Sequence, residues 1–181
     1  MELTEKTIGT NKIFDGKILR VTHDDVELSD GTKAKREVVR HPGGVCVAAL
    51  DAENNLLFVR QFRYPYGETV LELPAGKLEK GMTPCENGKR ELMEETGAVG
   101  SSYISLGQVY PSPGYTDEII HLYACRVVEL GESRPDEGEF LNVEKIPLEK
   151  AVEMVLNNMI PDAKTQIAVL KTAMLLRSEK I

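Results

Sequence analysis

Gly76-Lys77-Leu78-Glu79-Lys80-Gly81-Met82-Thr83-Pro84-Cys85-Glu86-Asn87-Gly88-Lys89-Arg90-Glu91-Leu92-Met93-Glu94-Glu95-Thr96-Gly97-Ala98 carries both a helix and a chemical signal. Thr83-Pro84-Cys85-Glu86 fits a capping box, with Thr83 as N-cap, Pro84 at N1 and Glu86 at N3. Gly97 stands where a glycine in the left-handed conformation ends a helix. Glu91, Glu94 and Glu95 are then related as i, i+3 and i+4 and share one face, with Cβ atoms roughly 5–6 Å apart. The macrodipole favours cations at that end of a helix, so local stability does not account for three carboxylates there. A bound cation does, because carboxylate oxygens suit Mg²⁺ or Ca²⁺. The alternative is a solvated charged face, the usual fate of glutamates on helices.

The stretch resembles the Nudix box: Gly, five residues, Glu, seven residues, Arg-Glu-hydrophobic-any-Glu-Glu-any-Gly-hydrophobic. Gly76, Arg90, Glu91, Leu92, Glu94, Glu95, Gly97 and Ala98 match in register, and one position departs, Met82 standing where the family has its first Glu. In the family that Glu mostly supports the loop and pairs with the box arginine, so the departure bears on Arg90 more than on metal binding; Glu86 and Glu79 are the candidate replacements. Gly88 is a second oddity. A mid-helix glycine costs about 1 kcal/mol relative to alanine, so its place predicts close packing against a sheet.

The chain has 181 residues, 41% of them hydrophobic, enough for one domain or one domain with a small appendage. Its formal net charge of −7 argues against a nucleic-acid backbone or an anionic membrane as partner. An anionic small substrate stays open if a metal and a few arginines invert the local field. The three cysteines, Cys46, Cys85 and Cys125, have neither zinc spacing nor a disulfide framework, and Cys46 and Cys125 read as buried thiols. No signal peptide and no apolar run of membrane-spanning length is evident, so the expectation is a cytoplasmic protein with no membrane partner.

Residues 1–42 read as a small antiparallel sheet, with Lys17–Leu28 extended, Asp30-Gly31 as a two-residue hairpin turn and Thr32–Arg40 returning. Residues 43–181 read as the main domain, entered through Pro42-Gly43-Gly44. Strands are expected at Val45–Leu50, Leu56–Arg63, Ile104–Tyr110, Ile119–Val128 and Leu141–Lys145, and helices at Leu148–Asn157 and from an Asp162 cap to about Arg177. Strands and helices that do not strictly alternate give an α/β (α+β) fold.

Several smaller groups could carry chemistry. Arg60 and Arg63 flank Gln61-Phe62 on a strand and should point to opposite faces, so at most one reaches a given site. A guanidinium suits phosphate, though a surface ion pair is equally ordinary. Arg36 and Arg40 share a face of the returning hairpin strand, as phosphate contacts or as a solubilising edge. Asp136-Glu137-Gly138-Glu139 is an acidic loop, solvated or able to supply a general base over a metal. Glu118 could accept from sugar hydroxyls or stay in solvent. His23, His41 and His121 show no metal spacing.

Val59-Arg60-Gln61-Phe62-Arg63, Glu72-Leu73-Pro74-Ala75-Gly76-Lys77, Tyr110-Pro111-Ser112-Pro113-Gly114 and Asp136-Glu137-Gly138-Glu139-Phe140 are together similar to the ADP-ribose pyrophosphatase branch of the Nudix family, with Pro113 at that branch's proline beyond the box. The resemblance runs from about residue 16 to the C-terminus. It implies an α/β/α sandwich with a mixed sheet, and an N-terminal sheet exchanged in a homodimer. It implies metal ions, Mg²⁺ with Mn²⁺ as an alternative, on Glu91, Glu95, the Ala75 carbonyl and Glu139. Glu94 would be a further ligand or support, with Arg90 beside it in the catalytic set, and Glu137 the general base. Arg63 and the partner subunit's Arg36 would grip the pyrophosphate, and Glu118 the terminal ribose. The expected reaction is hydrolysis of ADP-ribose, or a related nucleoside diphosphate sugar, to AMP and ribose 5-phosphate. The competing reading is a non-catalytic Nudix domain that binds such a ligand as a sensor; Met82 leans that way, the intact glutamates the other.

Overall fold

The described chain forms two units, one comprising residues 3–43 with Tyr110–Ile119, the other Gly44–Val109 with residues 120–178. The structure is a computed structural model that describes residues 3–178.

The first unit is a three-stranded antiparallel sheet in the order β1 (Glu5–Asp15), β2 (Arg20–Leu28), β3 (Lys33–Arg40). Strand β1 lies outside the sequence expectation. It is exposed along almost its whole length, so it lacks the apolar alternation that marks a strand, and it is held by backbone pairing to β2. The hairpin between β2 and β3 also corrects the expected two-residue turn. Leu28 N–H donates to the Thr32 carbonyl (2.8 Å) and Gly31 N–H to the Leu28 carbonyl (2.9 Å), enclosing Ser29-Asp30-Gly31. Gly31, at φ 83°, takes the left-handed position that a three-residue loop requires. Tyr110–Ile119 joins this unit through Val39, whose N–H donates to the Tyr115 carbonyl at 2.7 Å.

The second unit is built on β4 (Gly44–Leu50), buried at every position. Its side chains alternate between two cores. Val45, Val47 and Ala49 meet Leu57, Cys125 and, from helix α1 (Pro84–Thr96), Leu92. Cys46, Ala48 and Leu50 meet Phe58, Leu73 and side chains of α2 (Leu148–Leu156) and α3 (Ala163–Arg177). The sheet therefore lies between α1 on one face and α2 with α3 on the other. Its order is β10 (Leu141–Pro147), β5 (Asn55–Arg63), β4, β9 (Ile120–Leu130), β8 (Ala98–Val109), with β6 (Glu68–Glu72) on β5 and β7 (Ala75–Lys77) on β4. The β4–β9 pair is parallel and the others are antiparallel, which makes the sheet mixed, as expected.

Strand β8 starts at Ala98, well before the expected Ile104, because register shifts at Val99/Gly100, Ser101/Ile104 and Ser105/Gly107 let an irregular segment stay paired. The short β6 and β7 carry no periodicity of their own and exist by pairing. Gly88 behaves as its sequence position predicts: a Cβ there would lie 3.0 Å from Val47 Cγ2 and 3.1 Å from Val45 Cγ2. Cys46 and Cys125 are buried free thiols. Among the described residues no helix is long and apolar enough to cross a membrane.

Candidate active site

Helix α1 is fixed at both ends. Thr83 Oγ1 accepts from Glu86 N–H at 3.3 Å, and Glu86 Oε2 accepts from Thr83 N–H at 2.7 Å. Gly97, at φ 72°, closes the C-terminus by donating to the Met93 carbonyl at 2.8 Å. Buried Asn87, which the sequence reading passed over, ties the preceding loop to the helix: its Oδ1 accepts from Glu79 N–H and its Nδ2 donates to the Thr83 carbonyl, each at 2.9 Å. A polar amide inside a helix that keeps its own ladder is the one signal that pointed there.

The three glutamates then diverge in environment. Glu95 is only 3% exposed, and its Oε2 accepts from Ala75 N–H at 3.1 Å. Glu91 turns under β7, where a Cβ added to Gly76 would lie 2.0 Å from the Glu91 carboxyl carbon. That glycine is what leaves room for the carboxylate. Arg90 lies among the acids, with Nη1 on Glu94 Oε2 (2.5 Å) and Nη2 on Glu91 Oε1 (2.6 Å). Glu79 Oε1 approaches Arg90 Nη2 at 3.3 Å, while Glu86 is occupied in the capping box, so Glu79 stands in for the acid that Met82 replaces.

Burial is the largest influence on both inner carboxyls. It pushes Glu91 up to about 7 against the pull of Arg90, with Glu94, Glu139 and Asp136 adding repulsion. It pushes Glu95 up to about 8 against the Ala75 hydrogen bond and Arg63, with Glu91 and Glu139 adding repulsion. Glu139 and Asp136, on the loop between β9 and β10, are thus close enough to act on this cluster. Glu137 is exposed on the same loop, outside the strongest influences on Glu91 and Glu95.

Arg63 and Glu72 form the cluster's second part. Arg63 Nε and Nη2 bond to Glu72 Oε1 (2.5 Å) and Oε2 (2.8 Å), and Lys164 Nζ bonds to Glu72 Oε2 (2.5 Å). Glu72 is 2% exposed, yet the two cations outweigh its burial and hold its carboxyl below the usual range. Arg60 departs to Glu144 on β10, so the two arginines separate as strand alternation predicts. Glu72 entered the sequence reading only as the first residue of a matched stretch and Lys164 not at all, because their pairing spans 92 residues. Arg36 and Glu118 belong to the first unit. There Arg36 makes a two-point pair with Glu5 (2.9 and 2.6 Å) and Glu118 Oε1 lies 3.4 Å from His41 Nδ1. His41 Nδ1 accepts from Gly43 N–H at 3.1 Å, so that nitrogen carries no proton to share with Glu118.

Among the described residues no three acidic, histidine or cysteine side chains already converge as a cation cage. The reason is visible: Arg90 holds Glu91 and Glu94, and the Ala75 amide holds Glu95. The donor set nevertheless fits a hard divalent cation. Half-buried Glu91 and buried Glu95 are both raised chiefly by desolvation, Glu91 adds repulsion on Glu95, and the space over Gly76 is open to a carboxylate.

A mixed sheet between helices, with carboxyls ending one short helix and an anchored guanidinium within their field, makes a site whose donors suit phosphate held through a hard cation. The chain belongs to the NUDIX family: the NUDIX domain matches residues 40–169, and the nucleoside diphosphate sugar hydrolase N-terminal domain matches residues 5–39. An ADP-ribose pyrophosphatase of Bacillus subtilis (strain 168) is 42% identical over 169 residues, covering 92% of this chain and 91% of that protein. The methanol dehydrogenase activator of Bacillus methanolicus is 44% identical, covering 91% and 90%. A crystal structure of an ADP compounds hydrolase superposes over 100% of both chains with TM-score 0.86 at 18% identity, a likeness of fold.

Proposed function

We propose that this NUDIX hydrolase cleaves the pyrophosphate bond of ADP-ribose, releasing AMP and ribose 5-phosphate. The observation that carries the reading is the neighbouring pair Glu91 and Glu95 over Gly76, pushed to about 7 and 8 chiefly by desolvation. A binding-only sensor has no use for such a cluster, so catalysis is favoured over that alternative. The name of the Bacillus subtilis relative, an ADP-ribose pyrophosphatase, supports the substrate.

Glu91, Glu95, Glu139 and the Ala75 carbonyl would hold the metal, with Glu94 as further ligand or support. A divalent ion, Mg²⁺ or alternatively Mn²⁺, supplies charge against the phosphate oxygens and acidifies a water molecule. Glu137, exposed on its loop, takes the proton of the attacking water, a contribution typically about 10²–10⁴-fold. Water oxygen joins one phosphorus, and the bridging P–O bond breaks with its electron pair on the departing phosphate. Arg63 binds the pyrophosphate with the nitrogen that Glu72 leaves free, and stabilises the charge spread over its oxygens. Arg90, bonded to both Glu91 and Glu94, orients the two carboxylates.

The N-terminal sheet of residues 1–42 is exchanged in a homodimer, so that the partner subunit's Arg36 reaches the pyrophosphate and Glu118 the terminal ribose. Ile13 (60% exposed) and Phe14 (56%) on β1 support a covering partner. The setting is cytoplasmic, without nucleic-acid or membrane partners. Assay of ADP-ribose, GDP-mannose, UDP-glucose and dinucleoside polyphosphates with Mg²⁺ tests the substrate: ADP-ribose should give the highest kcat/KM, and preference for another nucleotide would refute it. Light scattering after size exclusion tests the dimer; a monomer at micromolar concentration would remove Arg36 from the site.

A further inference from the structure

We infer that Lys164 is a positioning residue for pyrophosphate binding, acting through Glu72 on the guanidinium of Arg63. The inference rests on the reading of Arg63 as a phosphate contact. Three elements converge on Glu72: β5 brings Arg63, β6 brings Glu72 itself, and the first turn of α3 brings Lys164. Both Glu72 oxygens are taken by Arg63 in a fork (2.5 and 2.8 Å), and Lys164 Nζ adds a third bond to Oε2 at 2.5 Å. Lys164 is fixed in turn by Asp162 Oδ1 at 3.0 Å. Asp162 caps α3 through its other oxygen, accepting from Thr165 N–H at 3.0 Å, and Thr165 Oγ1 accepts from Leu73 N–H at 2.9 Å. The lysine therefore sits in a frame that cannot shift without moving both the strand end and the helix start.

Two physical effects follow. The first is orientation. Arg63 is anchored by Nε and Nη2, and among the described residues Nη1 has no hydrogen-bond partner, while its side chain keeps 36% exposure. One end of the guanidinium is held and the other is free for a ligand. The second is charge. A guanidinium fully paired with one carboxylate is neutralised and attracts an anion poorly. Lys164 shares the same carboxylate, and Asp162 spends one oxygen on the helix cap, so Arg63 keeps more of its charge for phosphate. Arg63 and Glu95 act on each other electrostatically, which places the anchored guanidinium within the field of the acidic cluster. The bland alternative is a staple that merely joins α3 to β6.

Kinetics with ADP-ribose at saturating Mg²⁺ separate the two. Lys164→Met should raise KM about tenfold, the order expected for a disordered charged hydrogen bond, with kcat changed less than about threefold. Lys164→Arg should recover most of the loss. In an Arg63→Gln background, Lys164→Met should add nothing to KM. Should Lys164→Met fail to fold, Lys164→Gln, which removes the charge and keeps a donor toward Glu72, carries the same test, with a KM rise expected and the same silence in the Arg63→Gln background. An unchanged KM in a folded variant, a loss confined to kcat, or a KM effect that adds fully to Arg63→Gln would overturn the relay. If Arg63→Gln alone leaves KM unchanged, the phosphate reading of Arg63 falls, and the relay with it; additivity on top of a clear Arg63 effect sinks the relay alone.

Discussion

Gly76→Ala isolates the acidic cluster from the stability of the fold. A Cβ at this position would lie 2.0 Å from the Glu91 carboxyl carbon and 2.1 and 2.4 Å from its oxygens. Carbon atoms rest at about 3.5–4.0 Å, so the carboxylate must retreat by more than about 1 Å. Gly76 is not among the residues at positive φ, so alanine fits its backbone without strain. The clash is with the far end of a flexible side chain, and Glu91 is held in place at some cost from burial, so its displacement relieves as much as it disturbs. The melting temperature should stay within about 4 °C, equivalent to roughly 1 kcal/mol in a chain of this size. Activity should not survive as well: a displacement near 1 Å of a catalytic group costs about 10²-fold, or about 2.7 kcal/mol in transition-state stabilisation. The assay is kcat/KM for ADP-ribose with Mg²⁺, beside a thermal melt of the same sample. A folded Gly76→Ala protein with undiminished kcat/KM would refute the argument, because it would mean the Glu91 position is immaterial.

Other consequences are more local. With metal chelated, Glu91 and Glu95 are raised in the fold to about 7 and 8, so the stability they allow when protonated should be lost as pH climbs from about 5 through 8; urea midpoints should fall over that window, Mg²⁺ should restore them, and Glu95→Gln should flatten the profile. A midpoint that holds level in EDTA would count against the raised carboxyls of Glu91 and Glu95. Gly97→Ala would put a Cβ 2.4 Å from the Gly131 carbonyl oxygen, at a φ of 72°, against rigid backbone, and should destabilise by about 2 kcal/mol or more in urea titration; a loss under about 0.5 kcal/mol would contradict the packing. Thr83→Ala removes the capping box and should cost about 1 kcal/mol by the same titration while leaving kcat within about twofold at 25 °C.

Much of this architecture was legible because the signals were local. The Thr83 box, Pro84 and Gly97 define α1 within a short window, and the register of Arg90, Glu91, Glu94 and Glu95 follows once the helix is known. Gly88 announced its packing because only contact explains a glycine there. What escaped notice depends on distant pairing. Strand β1 is nearly all exposed and has no apolar rhythm; β6 and β7 are too short to show one. The count of the turn at Ser29-Asp30-Gly31 depends on how β2 and β3 register. The anchoring of Arg63 by Glu72 and Lys164 joins residues 9 and 92 positions apart, and no window of sequence contains it. Glu79 could be named as a stand-in beside Met82, but the choice between it and Glu86 required the helix cap to be seen in place.

The most direct measurement is chromatography of ADP-ribose after incubation with the protein and Mg²⁺, run beside Glu95→Gln and an EDTA control. The account predicts equal amounts of AMP and ribose 5-phosphate from the native chain, with the rate reduced at least about 10²-fold by the substitution and abolished by chelation. Undiminished hydrolysis by Glu95→Gln, or turnover indifferent to EDTA, would contradict it.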